Sequence, residues 1–85
     1  MTTWRKMITE ALAEQGETWA DVEACTLSEA ALDAVFDDGY GVPKGQPFTV
    51  WTPKRVYFPA QYDGWEWVAS VARHPDGQPT EHIGG

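Results

Sequence analysis

Nine carboxylates and no lysine or arginine lie between residues 7 and 43 of this 85-residue chain. Residues 1–6 add two positive charges and residues 44–85 are neutral, so the acidic block accounts for the net charge of −7. A field of one sign steers encounters and selects partners. The nine carboxylates are Glu10, Glu14, Glu17, Asp21, Glu23, Glu29, Asp33, Asp37 and Asp38.

Three of these carboxylates, Glu29, Asp33 and Asp37, recur every four residues. On a helix they form one stripe with neighbours about 6 Å apart, close to the spacing of phosphates along a nucleic-acid strand. A helix built only for stability would mix the signs of its charges. The stripe therefore predicts a surface that mimics phosphates or binds a basic patch, and the alternative is a solvated face that keeps a small protein in solution. The predicted acidic partner-binding residues are Glu10, Glu14, Glu29, Asp33, Asp37 and Asp38.

Residue types that carry catalysis or bind metals are sparse in this chain. Cys25 is the single cysteine, and a nucleophilic role would need a histidine and an orienting partner beside it. His74 follows the last predicted strand and His82 lies near the C-terminus, without the spacing of a zinc site. Asp37-Asp38-Gly39 lacks the ligand spacing of a calcium loop and is typical of a helix end. We predict no enzymatic activity, no metal and no cofactor.

The N-terminal half has the apolar spacing of helices. A first helix is capped by Thr3 and stopped by Gly16, and a short second helix runs from Thr18 to about Ala24. A third helix begins at Thr26 or Ser28 and ends at Asp38-Gly39, with its apolar side buried. The residues expected on that side are Ala31, Leu32, Val35 and Phe36.

The C-terminal half has the alternation of strands. We predict one strand over Pro47–Thr52, a second over Arg55–Phe58 that Pro59 limits, and a third over Trp65–Arg73. Asp63-Gly64 is a strong hairpin signal. The chain is therefore predicted to be a single α+β domain, with two or three short helices over residues 3–37 packed on one face of a three-stranded antiparallel meander over 47–73. A loop covers 38–46 and a loose tail 74–85.

Aromatic side chains offer a second candidate surface. In the third predicted strand both alternating sets of side chains are partly apolar, which is unusual for a sheet with one wet face. One explanation is that one set packs under the helices and the other covers itself. The other is an exposed patch that docks a protein partner or a second copy, because Trp and Tyr are common interface anchors. The predicted aromatic partner-binding residues are Trp51, Tyr57 and Trp65.

Composition excludes several classes of protein. No apolar run approaches the roughly 20 residues that span a membrane, and Glu10 and Glu14 interrupt the N-terminal apolar stretch in a way that a signal peptide does not. We therefore expect a cytoplasmic protein. The acidic charge opposes contact with nucleic acid and with anionic lipid, so we predict a protein partner and neither direct nucleic-acid binding nor a membrane.

The segment from Phe48 to Pro75, FTVWTPKRVYFPAQYDGWEWVASVARHP, resembles small uncharacterised proteins of bacteriophages and prophages, as does FDDGYG over residues 36–41. By size, acidity and lack of a catalytic motif, the chain is also similar in type to phage inhibitors of host defence, such as anti-CRISPR proteins and DNA mimics. The resemblance implies stoichiometric binding to a basic host protein that handles nucleic acid. The acidic face would then block the DNA- or RNA-binding surface of that protein.

Overall fold

A single antiparallel sheet with helices on one side organises the chain. The computed structural model describes residues 1–37, 45–62 and 64–83. In chain order the elements are α1 (Trp4–Glu14), a 3₁₀ helix (Trp19–Asp21), β1 (Ala24–Cys25), α2 (Glu29–Asp33), β2 (Val50–Trp51), β3 (Arg55–Tyr62) and β4 (Trp65–Ala72). The strands are ordered β1-β2-β3-β4. The α+β class is confirmed. The predicted meander corresponds to β2, β3 and β4, and only its count of three strands is wrong, because β1 adds a fourth strand beside β2.

Helix α1 forms where its apolar spacing predicts it. The Thr3 hydroxyl accepts a hydrogen bond from the Lys6 amide at 3.2 Å and so caps the first turn. Trp4, Ile8 and Leu12 recur every four residues and are all buried. Gly16 follows the helix with φ +72°, a left-handed conformation that glycine adopts without strain. The first helix is confirmed in position and in buried face.

The region after α1 is a short 3₁₀ helix followed by a strand. The side chains of Thr18 and Asp21 form a reciprocal capping box, but the predicted helix through Ala24 is wrong beyond Asp21. The Glu23 amide donates to the Trp51 carbonyl at 2.8 Å, and Ala24 pairs with the same residue in the sheet. Pairing with β2 therefore turns this stretch into the fourth strand.

Helix α2 is a single short turn, Glu29–Asp33, capped by Ser28. The backbone becomes extended at Ala34, so the prediction of a helix through residue 37 is wrong. Phe36 instead forms an antiparallel bridge with Thr2. Val35, predicted to be buried, is 64% exposed, because an extended chain points consecutive side chains in opposite directions.

Strands β3 and β4 form the longest ladder of the sheet, from Arg55 paired with Ala72 to Tyr62 paired with Trp65. Strand β3 was predicted to end before Pro59, and this limit is wrong because Pro59 pairs with Val68. Strand β2 pairs with β3 only at positions 56 and 57. Beyond these positions β3 has no β2 neighbour, and proline is tolerated on such an edge.

The core lies between the helices and one face of the sheet. Trp4 is its centre, with ring centroids 4.8 Å from both Phe36 and Phe48. Its indole N–H donates to the Gln46 carbonyl at 2.9 Å. The buried core residues are Trp4, Ile8, Leu12, Leu27, Leu32, Phe48, Val50 and Tyr57.

Two predicted segments contain neither helix nor strand where they are described. The predicted loop over 38–46 lies outside the described residues except for Gly45 and Gln46. Residues 74–83 of the predicted tail are exposed along their length.

Within the described part of the chain, no helix combines the length and the apolar composition needed to cross a bilayer.

Candidate protein-binding surfaces

The side of the sheet opposite the core is apolar along β2, β3 and β4. The side of the sheet that faces the core is identified by Val50 and Tyr57, which belong to the core, and by Val68, which packs against it. Residues of the other parity point away from it, and we call this surface the open face. It consists of Trp51, Val56, Phe58, Ala60, Tyr62, Trp65, Trp67, Ala69 and Val71. None of these nine residues carries a charge.

Aromatic and small residues alternate across the open face. Val56 pairs with Val71 at one end, and Tyr62 pairs with Trp65 at the hairpin end. The tyrosine and tryptophan of the hairpin pair are 58% and 59% exposed. Between the two ends, Phe58 faces Ala69 and Ala60 faces Trp67. Cross-strand contact half-buries most of these residues, so the most accessible aromatic surface lies at the hairpin end.

The three predicted aromatic binding residues separate in the structure. Trp65 is exposed and Trp51 is half-buried, and both belong to the open face. Tyr57 has the opposite parity and is fully buried, so its prediction as a surface residue is wrong. Its core position follows from its direct pairing with Val50.

Tyr57 forms a buried polar pair with Glu17. The tyrosine hydroxyl donates to the Glu17 carboxylate, and Glu17 is only 5% exposed. Burial and the neighbouring carboxylate raise the pKa of Tyr57 above its ordinary value of 10.0. Glu17 therefore belongs to the interior of the protein and not to an acidic surface.

The predicted ladder of carboxylates is broken in two ways. Asp37 lies beyond the end of α2, so it does not share a helical stripe with Glu29 and Asp33. Arg5 of α1 pairs with both remaining carboxylates, and its Nε lies 2.6 Å from Oδ1 of Asp33. This hydrogen bond lowers the pKa of Asp33. The absence of a base within the acidic block is therefore compensated in space by a residue that precedes it.

Other acidic residues are also accounted for by folding. Glu23 pairs with Arg73 near the end of β4, and Asp21 caps the 3₁₀ helix.

The predicted binding residue Asp38 lies outside the described residues. Glu10 and Glu14 are exposed on α1. They line a groove between α1 and β4, the edge strand of the sheet, together with Met7, Ala11, Trp67 and Val68, so Trp67 of the open face also borders α1.

Residues 1–37 contain both α-helices and the 3₁₀ helix, and we call them the helical layer. The acidic charge remains concentrated there even after this pairing. Apart from the buried Glu17 and from Glu23, which pairs with Arg73, residues 1–37 hold six carboxylates against two bases. Residues 45–62 and 64–83 together are neutral. Glu29 and Asp33 keep 84% and 61% of their side-chain surface exposed beside Arg5. The described residues thus present an acidic helical layer on one side of the sheet and the uncharged open face on the other.

The candidate nucleophile and metal ligands lie apart. The Cys25 thiol is half-buried and donates to the Leu27 carbonyl at 3.7 Å. His74 and His82 lie in the exposed segment after β4. Among residues 1–37, 45–62 and 64–83, no cluster of three or more His, Cys, Asp or Glu side chains has a geometry suited to a metal ion.

The fold and its surfaces define an α+β protein with a four-stranded antiparallel sheet. Among the residues that the structure describes, helices cover one side of this sheet. Comparisons of the chain with protein-family models, with curated proteins and with solved structures found no match. The surfaces themselves are therefore the basis for assigning a function.

Proposed function

We propose that this chain is a non-enzymatic protein-binding module and that the open face is its docking surface. The observation that carries the proposal is the absence of charge and the apolar character of all nine residues on that face. In antiparallel sheets with one solvated face, the outward residues are usually polar. An extended apolar patch on a small protein is typical of an interaction site.

The hairpin end supplies the strongest anchors of the proposed site. Trp and Tyr are the residues most enriched among binding hot spots. Given the exposed fractions of Tyr62 and Trp65 and about 150–250 Å² per aromatic side chain, the pair offers about 200–300 Å² to a partner. At about 25 cal/mol per Å², covering it contributes about 5–7 kcal/mol before the cost of association.

Removing these two anchors tests the proposal. We expect the double substitution Tyr62→Ser and Trp65→Ser to weaken binding of a protein partner at least tenfold. The reason is that it removes the two exposed aromatic side chains that a partner would cover. Immobilised protein is incubated with lysate of the host cell at low and at high salt, and captured proteins are quantified by mass spectrometry. Capture that depends on the open face survives high salt, since apolar contacts are not screened.

Val35→Ser provides the matched control for this experiment. Val35 is similarly exposed, but it lies on the helical layer, so its substitution should leave capture unchanged. Circular dichroism verifies that all variants fold. A double variant that captures the same proteins in the same amounts as the unmodified chain contradicts the proposal.

A second candidate function uses the acidic helical layer. In this reading the chain is a phage-type inhibitor, similar in kind to anti-CRISPR proteins, that acts in the host cytoplasm and blocks the basic surface of a nucleic-acid-handling protein. The observation that favours it is the excess of six exposed carboxylates over two bases in residues 1–37, which remains after the buried Glu17 and the Arg73-paired Glu23 are left out. Charge-steered association and charge-assisted hydrogen bonds to arginine would supply the binding.

Charge reversal separates the second candidate from the first. We expect Glu10→Lys with Glu14→Lys to lower affinity for a basic partner about tenfold at low salt and to flatten its salt dependence. The reason is that two charges on α1 change sign, which shifts the net charge by about four units. Binding is measured as competition with DNA for the captured nucleic-acid-handling protein. The control is Asp76→Lys with Glu81→Lys, which makes the same change in net charge in the segment after β4. Equal effects of both pairs would show that only net charge matters and would contradict a specific acidic surface.

A further inference from the structure

We propose that the occupant of the open face is the open face of a second copy of this chain. This inference rests on the proposed docking function of that face and assigns it a partner. The two sheets would stack face to face about 10 Å apart, as in a β-sandwich. The resulting homodimer would have four layers, with the helices outside and the two sheets at the centre.

The distribution of charge favours a second copy as the occupant. A protein with a net charge of −7 repels its own copies, but the open face carries no charge and the acidic layer lies on the opposite side of the sheet. Face-to-face stacking separates the two acidic layers by the thickness of both sheets and the side chains between and behind them, about 20–30 Å. That distance exceeds the Debye length of about 8 Å at physiological salt. Repulsion therefore opposes this arrangement less than an association that brings the two acidic layers together.

The distribution of exposed aromatic surface favours a two-fold arrangement. The face has a protruding end, where Tyr62 and Trp65 are exposed, and a less exposed end, where Val71, Val56 and its neighbour Trp51 are half-buried. A two-fold axis parallel to the sheets and across the strands reverses the strand direction in the second copy. The protruding end of each copy then lies over the less exposed end of the other, and both copies use the same patch, as in an isologous interface.

The available area is near the lower limit for a specific dimer. The hairpin aromatics contribute about 200–300 Å² per copy, and the half-buried residues of the face contribute a similar amount. Two copies would then bury about 1,000 Å² in total, close to the minimum for a specific interface. We therefore expect a reversible dimer that forms at micromolar concentrations and dissociates on dilution.

Sedimentation equilibrium over about 1–500 µM tests the inference. The unmodified chain should shift from the mass of one chain, 9.5 kDa, toward twice that value, and high salt should not reverse the shift. Tyr62→Ser with Trp65→Ser should remain monomeric at every concentration, whereas Val35→Ser should dimerise as the unmodified chain does. A chain that remains monomeric at 500 µM, or a double variant that still dimerises, overturns the proposal.

Amide chemical shifts recorded across the same dilution series identify the face that is used. Shifts should change in β3 and β4 and stay constant at the exposed positions of α1, and the opposite pattern would also overturn the proposal. Failure of the homodimer proposal is distinguishable from failure of the docking function. If the unmodified chain is monomeric but loses capture of another protein in the double variant, the docking function stands and only the second copy is rejected.

Discussion

Replacing Gly45 by alanine is expected to destabilise the protein by about 2–3 kcal/mol. A Cβ atom at this position would lie 2.5 Å from Cζ2 and 2.7 Å from Cε2 of the Trp4 ring. The ring has no room to retreat, because Phe36 and Phe48 contact it and its N–H is bonded to Gln46. In a domain of this size, with a total stability of about 4–13 kcal/mol, the loss should lower Tm by about 10–20 °C.

Two comparisons isolate the steric cause of this loss. Gly16→Ala has open space around its Cβ but a positive φ, so it should cost only the left-handed backbone strain of about 1 kcal/mol. In a Trp4→Phe background the smaller ring leaves room, and Gly45→Ala should then cost less than it does beside tryptophan. Free energies of unfolding from urea titrations give the coupling. Additive costs would show that Gly45 is required for a reason other than the Trp4 ring.

Trp4 also illustrates what local sequence patterns predict well. The four-residue spacing of Trp4, Ile8 and Leu12, the cap at Thr3 and the stop at Gly16 are all local signals, and α1 follows them. The alternation of β4 and its hairpin with β3 are local in the same sense. The α+β class depends only on these long periodic segments.

Contacts distant in sequence decided the features that sequence patterns did not predict. A four-residue period of carboxylates cannot show where a helix ends. Helix α2 ends at Asp33, the chain becomes extended at Ala34, and Phe36 pairs with Thr2. Arg5 reaches Asp33 across 28 positions of the chain. Strand β1 has two residues, too few for any periodicity, and exists through its pairing with β2.

The open face was only partly predictable for a related reason. The sequence shows that both parities of β4 are apolar, but not which of them faces the helices. That choice follows from the register, in which Tyr57 pairs with both Val50 and Ser70. Once Tyr57 is assigned to the core, the residues that alternate with it, including Phe58 and Tyr62, must face outward. Sequence reasoning therefore identified Trp65 and Trp51 but not the continuous surface to which they belong.

Removing the buried hydroxyl of Tyr57 is the second substitution with a large expected effect. Tyr57→Phe leaves the Glu17 carboxylate buried without the hydroxyl that donates to it. A buried charged group that loses its hydrogen-bond partner costs about 1.5–3 kcal/mol. The double variant Tyr57→Phe with Glu17→Met should recover part of this loss, because it removes both polar groups together. Urea titrations at neutral pH check the order, and a double variant less stable than Tyr57→Phe would contradict it.

Alkaline pH provides an independent test of the same pair. The folded-state pKa of Tyr57 lies above the ordinary value of 10.0, first because the hydroxyl is buried and then because Glu17 accepts its proton in a hydrogen bond. Above pH 10 the unfolded chain therefore loses this proton while the folded chain keeps it. The contribution of Tyr57 to stability is fully present below pH 10 and declines above it by up to about 1.4 kcal/mol per pH unit. Tyr57→Phe should lack this part of the decline, so the stability difference between the two proteins should shrink between pH 10 and 11.5. A difference that stays constant over this interval would show that the Tyr57 hydroxyl is not held in its protonated form by the fold.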